Sequence, residues 1–165
     1  MSSDAVPPAP QAAAEPAVRV LRQFRVVFNA VKAHFQQVEK HAGVGGAQLW
    51  ALSVIQSHPG IGVGGLARAM DIHQTTASNL VRTLVAEGMI ATQRNDEDRR
   101  VVHLRLLPSG ERALSRAPGP FTGVLPTALA RLDARTLDRL HTDLSSLIAA
   151  LGADDRAAGI PLAQI

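Results

Sequence analysis

Residues 66–80 read Leu66-Ala67-Arg68-Ala69-Met70-Asp71-Ile72-His73-Gln74-Thr75-Thr76-Ala77-Ser78-Asn79-Leu80. Ala67 is small enough for a second helix to cross the first, Ile72 is placed to fill the turn, and Ala77 anchors the second helix at the matching spacing. This spacing predicts a helix-turn-helix whose second helix turns polar side chains outward: Gln74, Thr75, Thr76, Ser78, Asn79 and Arg82. Amide, hydroxyl and guanidinium groups pair with base edges and phosphates, so this face is predicted to contact DNA. A solvated surface helix is the other interpretation.

A charged hairpin is predicted directly after this unit. Two short β-prone runs, 89–93 and 101–106, flank a tip that carries charges of both signs. The arginines in or beside the tip are Arg94, Arg99, Arg100 and Arg105, and the carboxylates are Asp96, Glu97 and Asp98. Neighbouring carboxylates can hold guanidinium groups extended, and an extended arginine fits a narrow minor groove. The hairpin is therefore predicted to be a wing that contacts DNA, with a solvated turn as the alternative.

Two long amphipathic helices are predicted at opposite ends of the chain. The first, over about 17–41, places apolar residues at steps of three and four: Leu21, Phe24, Phe28, Val31, Phe35 and Val38. The second repeats the pattern with Leu137, Leu140, Leu144, Leu147 and Leu151. Asp133 is placed to cap the second helix and Gly152 to end it. A first helix of about 25 residues would be roughly 37 Å long, which favours a bundle between subunits over an ordinary core helix.

Composition narrows the classes of function. The chain has 165 residues, is 46% apolar and carries a formal net charge of +3, a mildly basic balance that is compatible with nucleic acid. It has no cysteine, which excludes disulfides and thiolate metal sites and is typical of a reducing cytoplasm. Residues 1–16 lack the apolar core of a signal peptide, and no later stretch is long enough to span a membrane. We therefore expect a cytoplasmic protein without a membrane segment.

Motifs of enzyme chemistry are missing from the sequence. No Gly-rich phosphate loop follows a predicted strand, and no serine stands in a nucleophile elbow. The Gly-rich stretches 43–46 and 60–65 fall between helices and are predicted to be hinges. The protein is therefore expected not to be an enzyme and to need no cofactor.

The stretch from Gly64 to Gly110 resembles the multiple-antibiotic-resistance regulator (MarR) family of bacterial winged-helix repressors. The residues that carry the resemblance are Leu66-Ala67, Thr75-Thr76-Ala77-Ser78-Asn79-Leu80-Val81, Leu84-Val85-Ala86-Glu87-Gly88-Met89-Ile90, Arg94, Asp98-Arg99-Arg100, Val102, Leu104, Leu106 and Gly110. The resemblance implies a homodimer with interlocked terminal helices, recognition helices in successive major grooves and wings in the adjoining minor grooves. It also implies that Arg100, steadied by Asp98, is the arginine of the wing tip and that Arg99 meets the DNA backbone.

The sequence departs from this family at three places. Asn95 stands where the family often has Asp, at an exposed turn. Leu107 replaces the usual Thr before the fifth helix, so Ser109 is expected to cap that helix. Pro118-Gly119-Pro120 falls inside what is usually one long helix. Since proline cannot continue the helical hydrogen-bond ladder, a kink or break is predicted there.

Six residues near the junction between the dimerisation helices and the DNA-reading part are candidates for binding a small molecule: Arg25, Asn29, Lys32, His34, Gln48 and Trp50. Members of the family commonly release DNA when a small, often aromatic and anionic, molecule wedges at this junction. Trp50 can stack on an aromatic ring, and a cation or His34 can meet a carboxylate. The other interpretation makes Trp50 a core residue and His34 a solvated one.

The predicted fold is mainly α with a small β-wing, a winged helix-turn-helix with N- and C-terminal dimerisation helices. A disordered Ala/Pro-rich tail is expected over 1–16 and a C-terminal tail over 152–165. The MarR-type domain between them, 17–151, holds a reading head and two dimerisation regions. Their predicted bounds are about 47–107 for the reading head, and about 17–42 and 109–151 for the dimerisation helices.

The expected function is repression of transcription by a homodimer that binds a pseudo-palindromic operator in double-stranded DNA. A small aromatic acid is expected to release it. One alternative is a winged-helix module that binds other proteins. A second alternative is a metal-responsive regulator, although Glu39 and His41, the closest pair of ligand-type residues, do not share a helix face; no metal site is therefore expected.

Overall fold

The computed structural model describes residues 10–94 and 102–164. The helices are α1 (Pro10–Ala42), α2 (Gly46–Ser57), α3 (Val63–Met70), α4 (Gln74–Ala86), α5 (Pro108–Arg116), α6 (Val124–Leu129) and α7 (Ala134–Leu151). The strands β1 (Ile90–Arg94) and β2 (Val102–Leu106) form an antiparallel pair, and two short 3-10 helices, Asp155–Gly159 and Leu162–Gln164, end the described chain. This order confirms a mainly α winged helix-turn-helix with a small β-wing.

The first helix begins at Pro10 rather than at Ala17, so part of the predicted disordered tail belongs to α1. The alanines at 12–14 favour the helix. Pro16 lies inside it, where proline lacks one N–H donor but already has a helical φ. Residues 1–9, the rest of the predicted tail, lie outside the described residues.

The apolar stripe of α1 divides into two halves with different surroundings. Val31, Phe35 and Val38 are buried against the rest of the chain. Leu21 and Phe28, nearer the N-terminus, are exposed to 49% and 56%. The C-terminal half of α1 therefore belongs to the core, while its N-terminal half leaves apolar surface in solvent.

The core is built mainly from leucine and small side chains, as the low aromatic content requires. Leu49 and Leu52 of α2, Leu66 of α3 and Leu84 of α4 are fully buried. Ala77, also fully buried, lets α4 pack closely. The four leucines belong to one hydrophobic cluster that joins α2, α3 and α4 with residues of the sheet and of α5.

The two wing strands pair from Ile90 opposite Leu106 to Arg94 opposite Val102. Ile90 and Leu104 are buried and fix the base of the sheet on the helices. One hydrogen bond ties the extended stretch before α3 to this sheet, since the N–H of Leu104 donates to the carbonyl of Ile61 at 2.8 Å. The predicted strands are confirmed, and the charged tip at 95–101 lies outside the described residues.

The predicted break at Pro118-Gly119-Pro120 is confirmed, because α5 ends before it and α6 begins after it. The expectation that Ser109 caps α5 is wrong. Pro108 occupies the first helical position, where its missing N–H costs nothing, so the cap position falls on Leu107. The hydroxyl of Ser109 instead donates to the carbonyl of Gly88 and ties α5 to the loop before β1.

The last long helix, α7, has the predicted residues at both ends. A carboxylate oxygen of Asp133 accepts a hydrogen bond from the N–H of Thr136 at 2.9 Å, and Gly152 ends the helix in the left-handed conformation. None of its residues, all of which the structure describes, is buried. Its apolar stripe, which includes Leu140 and Leu144, therefore faces solvent in the single chain.

The C-terminal residues fold back onto the chain, contrary to the expectation of a tail over 152–165. Gly159 and Pro161 are buried, and Ala163 packs against the hydrophobic core beside α1 and α2. The docking adds small apolar side chains to the core, which offsets the entropy lost by ordering this short segment.

Asp133 supplies a pH-dependent contribution to the stability of α7. The backbone N–H and then the hydroxyl of Thr136 donate to its carboxylate and hold its pKa below the ordinary 3.8. A lowered pKa stabilises the folded state above the ordinary pKa, and this contribution is lost as pH falls through the lowered value. We expect Asp133→Ala to unfold at a lower temperature than the unaltered chain at neutral pH, with the difference disappearing in acid. Thermal unfolding followed by circular dichroism measures this.

The matched control is Asp143→Ala, an exposed carboxylate within the same helix. It removes no cap and is expected to cause no comparable loss at neutral pH. A loss for Asp133→Ala that stays constant into strong acid would contradict the capping role.

Candidate nucleic-acid interface

The predicted helix-turn-helix consists of α3 and α4. Asp71 follows α3 with a φ of 52°, in the left-handed region that aspartate tolerates better than most residues. The N–H of Ile72 donates to the carbonyl of Ala67 at 3.0 Å and fixes the turn. One face of α4 is held in the core by Ala77, Leu80, Val81 and Leu84. The opposite face is consequently directed away from the core.

Most of the predicted contact residues of α4 lie on this opposite face. Gln74, Thr75, Asn79 and Arg82 are exposed, and Ser78 is half-buried. A guanidinium nitrogen of Arg82 donates to the side-chain oxygen of Asn79 at 3.1 Å, and the hydroxyl of Ser78 donates to the carbonyl of Gln74 at 2.8 Å. Amide, hydroxyl and guanidinium groups thus share one exposed surface, which suits base edges and phosphates.

Thr76 does not belong to this outer face, and its predicted orientation is wrong. It is half-buried, and its hydroxyl donates to the carbonyl of Gly159 at 3.4 Å. Successive helical residues are rotated by about 100°, which carries Thr76 from the direction of Thr75 round to the C-terminal residues. Sequence reasoning missed this contact, because short 3-10 turns have no periodic apolar pattern that would place them.

The wing strands carry two of the predicted arginines on exposed positions. Arg94 ends β1 opposite Val102, at the last described pair before the tip, and Arg105 lies on β2. The imidazole Nδ1 of His103 donates to the carbonyl of Gly60 at 2.5 Å, which ties β2 to the loop before α3. The other predicted wing residues, Asp98, Arg99 and Arg100, lie outside the described residues, so their roles stay predictions.

A cavity of about 240 Å³ lies where α1, α2, α6 and the C-terminal residues meet the turn before α4. Apolar side chains dominate its lining, among them Val31, Phe35, Trp50, Ile72 and Leu125. Among the described lining residues, the one charged side chain is that of Asp71, and none is a lysine, arginine or histidine.

The six candidate effector-binding residues are not brought together. Trp50 is half-buried and lines the cavity. Arg25, Asn29 and Lys32 are exposed on α1 and do not line it. The expected partner for a carboxylate beside Trp50 is therefore not found among the described lining residues.

The two remaining candidates are engaged elsewhere. The Nε2 of His34 donates to the carbonyl of Pro120 at 2.9 Å, so this side chain fastens α1 to the break after α5. The side-chain oxygen of Gln48 accepts from the N–H of Gly45 at 2.7 Å at the start of α2, and its amide nitrogen donates to Glu87. Both residues serve the packing of helix ends, because their polar groups meet partners in neighbouring loops.

Within residues 10–94 and 102–164, no cluster of three or more metal-ligating side chains occurs. No helix in the described part of the chain is long and apolar enough to cross a membrane.

Comparison with known families gives one match. The model of the MarR family matches residues 42–101, which include α2, the helix-turn-helix and the first wing strand. A protein assigned to transcriptional regulation of the hcr operon in Thauera aromatica is 35% identical to this chain over 65 residues. That match covers 39% of this chain and 39% of the relative, so the chain spans well under half of that relative's length.

Solved structures of similar fold cover more of the chain. A MepR-like protein complexed with pseudoligands superposes with a TM-score of 0.54 at 14% identity, covering 82% of this chain and 96% of that one. The S. aureus MepR–DNA complex gives a TM-score of 0.53 at 20% identity, covering 78% and 94%. At such identities the likeness shows the fold alone. Residues 42–101 therefore match the MarR family, and the chain has the winged-helix fold of these solved structures, with a buried helix-turn-helix and paired wing strands.

Proposed function

We propose that the protein is a transcriptional repressor that binds a pseudo-palindromic operator in double-stranded DNA. The observation that carries this proposal is the orientation of α4. One face of this helix is buried in the core, and the other presents Thr75, Asn79 and Arg82 to solvent. A rigid helix of this kind can enter a major groove with its polar face toward the bases. A neighbour of the same fold, S. aureus MepR, was solved in complex with DNA.

The operator-binding form is a homodimer. The N-terminal half of α1 and the whole of α7 leave apolar side chains exposed, among them Leu21, Phe28, Leu140 and Leu144. Two such helices at the ends of one chain can be covered by the same two helices of a second copy, as an isologous contact requires. A dimer with two-fold symmetry places two recognition helices one helical turn of DNA apart, about 34 Å.

The wing completes the contact with DNA. Arg94 leads into the tip, where Arg100, steadied by Asp98, enters the minor groove and Arg99 meets a phosphate. On α4, Gln74, Thr75, Ser78, Asn79 and Arg82 divide between base edges and backbone. Steric occlusion of a promoter needs no contact beyond these, which favours repression over activation.

The cavity beside Trp50 binds the effector, a small aromatic molecule that releases the operator. Its apolar lining and volume of about 240 Å³ suit one ring. The earlier expectation of an aromatic acid is refined by Asp71, because a carboxylate beside Asp71 would meet a like charge. An uncharged aromatic molecule is therefore the better fit, and an amide is suitable because its N–H can donate to the Asp71 carboxylate.

The proposal is tested by fluorescence anisotropy on DNA from the promoter next to the protein's own gene. Binding is expected to weaken steeply with salt, because phosphate contacts release counterions. Addition of nicotinamide at millimolar concentration is expected to weaken binding more than the matched acid, nicotinate. Salt-independent or absent binding would contradict DNA recognition and favour a protein-interaction module.

The wing makes a specific prediction. We expect Arg100→Ala to weaken operator binding by about tenfold or more, as the loss of one well-placed arginine contact typically does. The dimer is expected to stay folded, since the substitution leaves the described core unchanged, including Ile90 and Leu104 at the base of the wing. Anisotropy titrations across a salt series measure both the affinity and the number of phosphate contacts.

The control for this prediction is Arg131→Ala, an exposed arginine in the link between α6 and α7. It removes the same charge from a position outside the helix-turn-helix and wing. Equal losses for the two variants would show that only net charge matters and would contradict a specific role of Arg100.

A further inference from the structure

The C-terminal segment Asp154–Gln164, called the strap below, is locally ordered at its start. A carboxylate oxygen of Asp154 accepts from the N–H of Arg156 at 2.9 Å, and the guanidinium of Arg156 donates to the other oxygen at 2.7 Å. These bonds turn the chain into the first 3-10 helix. The strap then runs over the turn between α3 and α4.

Three hydrogen bonds join the strap to the first turn of the recognition helix α4. The Nε2 of His73 donates to the carbonyl of Arg156 at 2.8 Å, and the N–H of His73 donates to the carbonyl of Gly159 at 3.2 Å. The hydroxyl of Thr76 donates to the same Gly159 carbonyl at 3.4 Å. His73 is the N-cap residue of α4, so the strap holds the helix at its starting point.

The fit between strap and helix depends on the absence of a side chain at Gly159. This residue is buried, and a Cβ built on it would overlap the imidazole ring of His73. Its φ is not positive, so the glycine is required for space and not for backbone conformation. A larger residue there must therefore displace either the strap or the His73 ring.

The residues on both sides of Gly159 form one wall of the cavity beside Trp50. Ala158, Ile160, Pro161 and Leu162 all line this cavity. Beyond them, Ala163 packs at the start of α2, where a Cβ on Gly46 would lie 3.2 Å from that of Ala163. Adjacent residues of one short segment thus touch the recognition helix on one side and the cavity on the other.

We propose that the strap couples the cavity to the recognition helix. With the strap seated, Thr75, Asn79 and Arg82 remain exposed, so the seated strap fixes α4 without covering its reading face. A ligand that pushes Ile160 and Pro161 outward draws Gly159 away from His73 and Thr76. The inference rests on the DNA-binding function proposed above and adds the element that transmits the ligand signal.

The first test compares full-length Gly159→Val with the unaltered chain. We expect faster hydrogen exchange at the His73 amide, because its acceptor is withdrawn, and an operator affinity lower by about tenfold, as the loss of these hydrogen bonds allows. Nicotinamide is expected to lose its effect on operator binding in this variant. The control is Ala157→Val, an exposed position in the same segment, which is expected to match the unaltered chain.

The second test uses the near-isosteric change Thr76→Val, which removes the hydroxyl without adding bulk. If Thr76 acts through the strap, its effect on affinity is expected to vanish in the Gly159→Val background, as a double-mutant cycle shows. Full additivity of the two effects would assign Thr76 to DNA contact and overturn the inference. This cycle needs no ligand, so its result is independent of the effector.

The outcomes separate the inference from the function on which it rests. Operator binding that is absent or independent of salt in the unaltered chain contradicts the proposed function. A different result is that the unaltered chain binds the operator normally while Gly159→Val matches Ala157→Val in hydrogen exchange at His73 and in operator affinity. That result contradicts the coupling role of the strap and leaves the proposed function standing.

Discussion

A chain that carries Leu144→Glu is expected to be monomeric and to bind its operator about a hundredfold less tightly than the unaltered chain. Leu144 lies in the middle of the apolar stripe of α7 and is 42% exposed in the single chain. In the proposed dimer, the second copy covers this stripe. A glutamate there would bring an unpaired charge into an apolar contact, which is expected to weaken the free energy of dimerisation by about 2 kcal/mol or more.

The loss of DNA affinity follows from the loss of the dimer. Two linked recognition helices bind two half-sites with an avidity that can exceed the affinity of one helix by about 10²–10⁴. A monomer retains only the affinity of a single α4 and wing. Size-exclusion chromatography with light scattering measures the oligomeric state, and anisotropy on the same samples measures the affinity.

Ser146→Glu is the matched control for Leu144→Glu. Ser146 lies on the same helix, rotated by about 200° from Leu144 and so on the opposite side, and is exposed. It is expected to leave the dimer and the operator affinity nearly unchanged. A dimeric Leu144→Glu variant would show that α7 is not part of the interface.

Gly110→Ala is expected to destabilise the folded state by about 2 kcal/mol, because overpacking exceeds the gain in helix propensity. A Cβ on Gly110 would lie 2.6 Å from the carbonyl oxygen of Met89 and 2.8 Å from a methyl group of Leu106. The Met89 carbonyl cannot move away without losing a hydrogen bond, since it accepts one from the N–H of Leu107 at 2.9 Å. The methyl group is therefore forced against backbone at the base of the wing.

Gly64→Ala is the control for the gain in helix propensity, because it is expected to raise the stability of the fold where Gly110→Ala lowers it. Gly64 lies in α3, and a Cβ there would lie 3.7 Å from the guanidinium of Arg68, an ordinary contact. This change is expected to stabilise the fold by up to about 1 kcal/mol. Urea unfolding of both variants measures the two free energies, and a Gly110→Ala variant as stable as Gly64→Ala would contradict the close packing of α5 on the wing.

Local patterns in the sequence predicted much of the fold. The helix-turn-helix spacing around Ala67 and Ala77, the β-prone runs and the cap at Asp133 all depend on residues close together in the chain. Their structures agree with the prediction because side-chain size, helical period and capping chemistry act over a few residues. The break at Pro118-Gly119-Pro120 was predictable for the same reason, since two prolines separated by a glycine interrupt the helical hydrogen-bond ladder locally.

The site was predicted less evenly. The polar face of α4 follows from helical period, and most of its residues are exposed as expected. The effector candidates were grouped by their proximity in sequence to the junction, and only Trp50 lines the cavity. Whether Arg25, Asn29 or Lys32 faces that cavity depends on how α1 is oriented about its own axis. That orientation is set by the neighbouring helices that cover its apolar stripe.

The sequence by itself determined the helix-turn-helix and the polar outer face of its second helix, because spacing and side-chain chemistry at Leu66 to Arg82 are local properties. Only the tertiary structure decided the position of the C-terminal strap and the orientation of Thr76. Those depend on contacts between residues 83 positions apart, such as Thr76 and Gly159. No local period encodes such a contact, since it exists only when the packing of α1, α2 and α4 creates the surface on which the strap is seated.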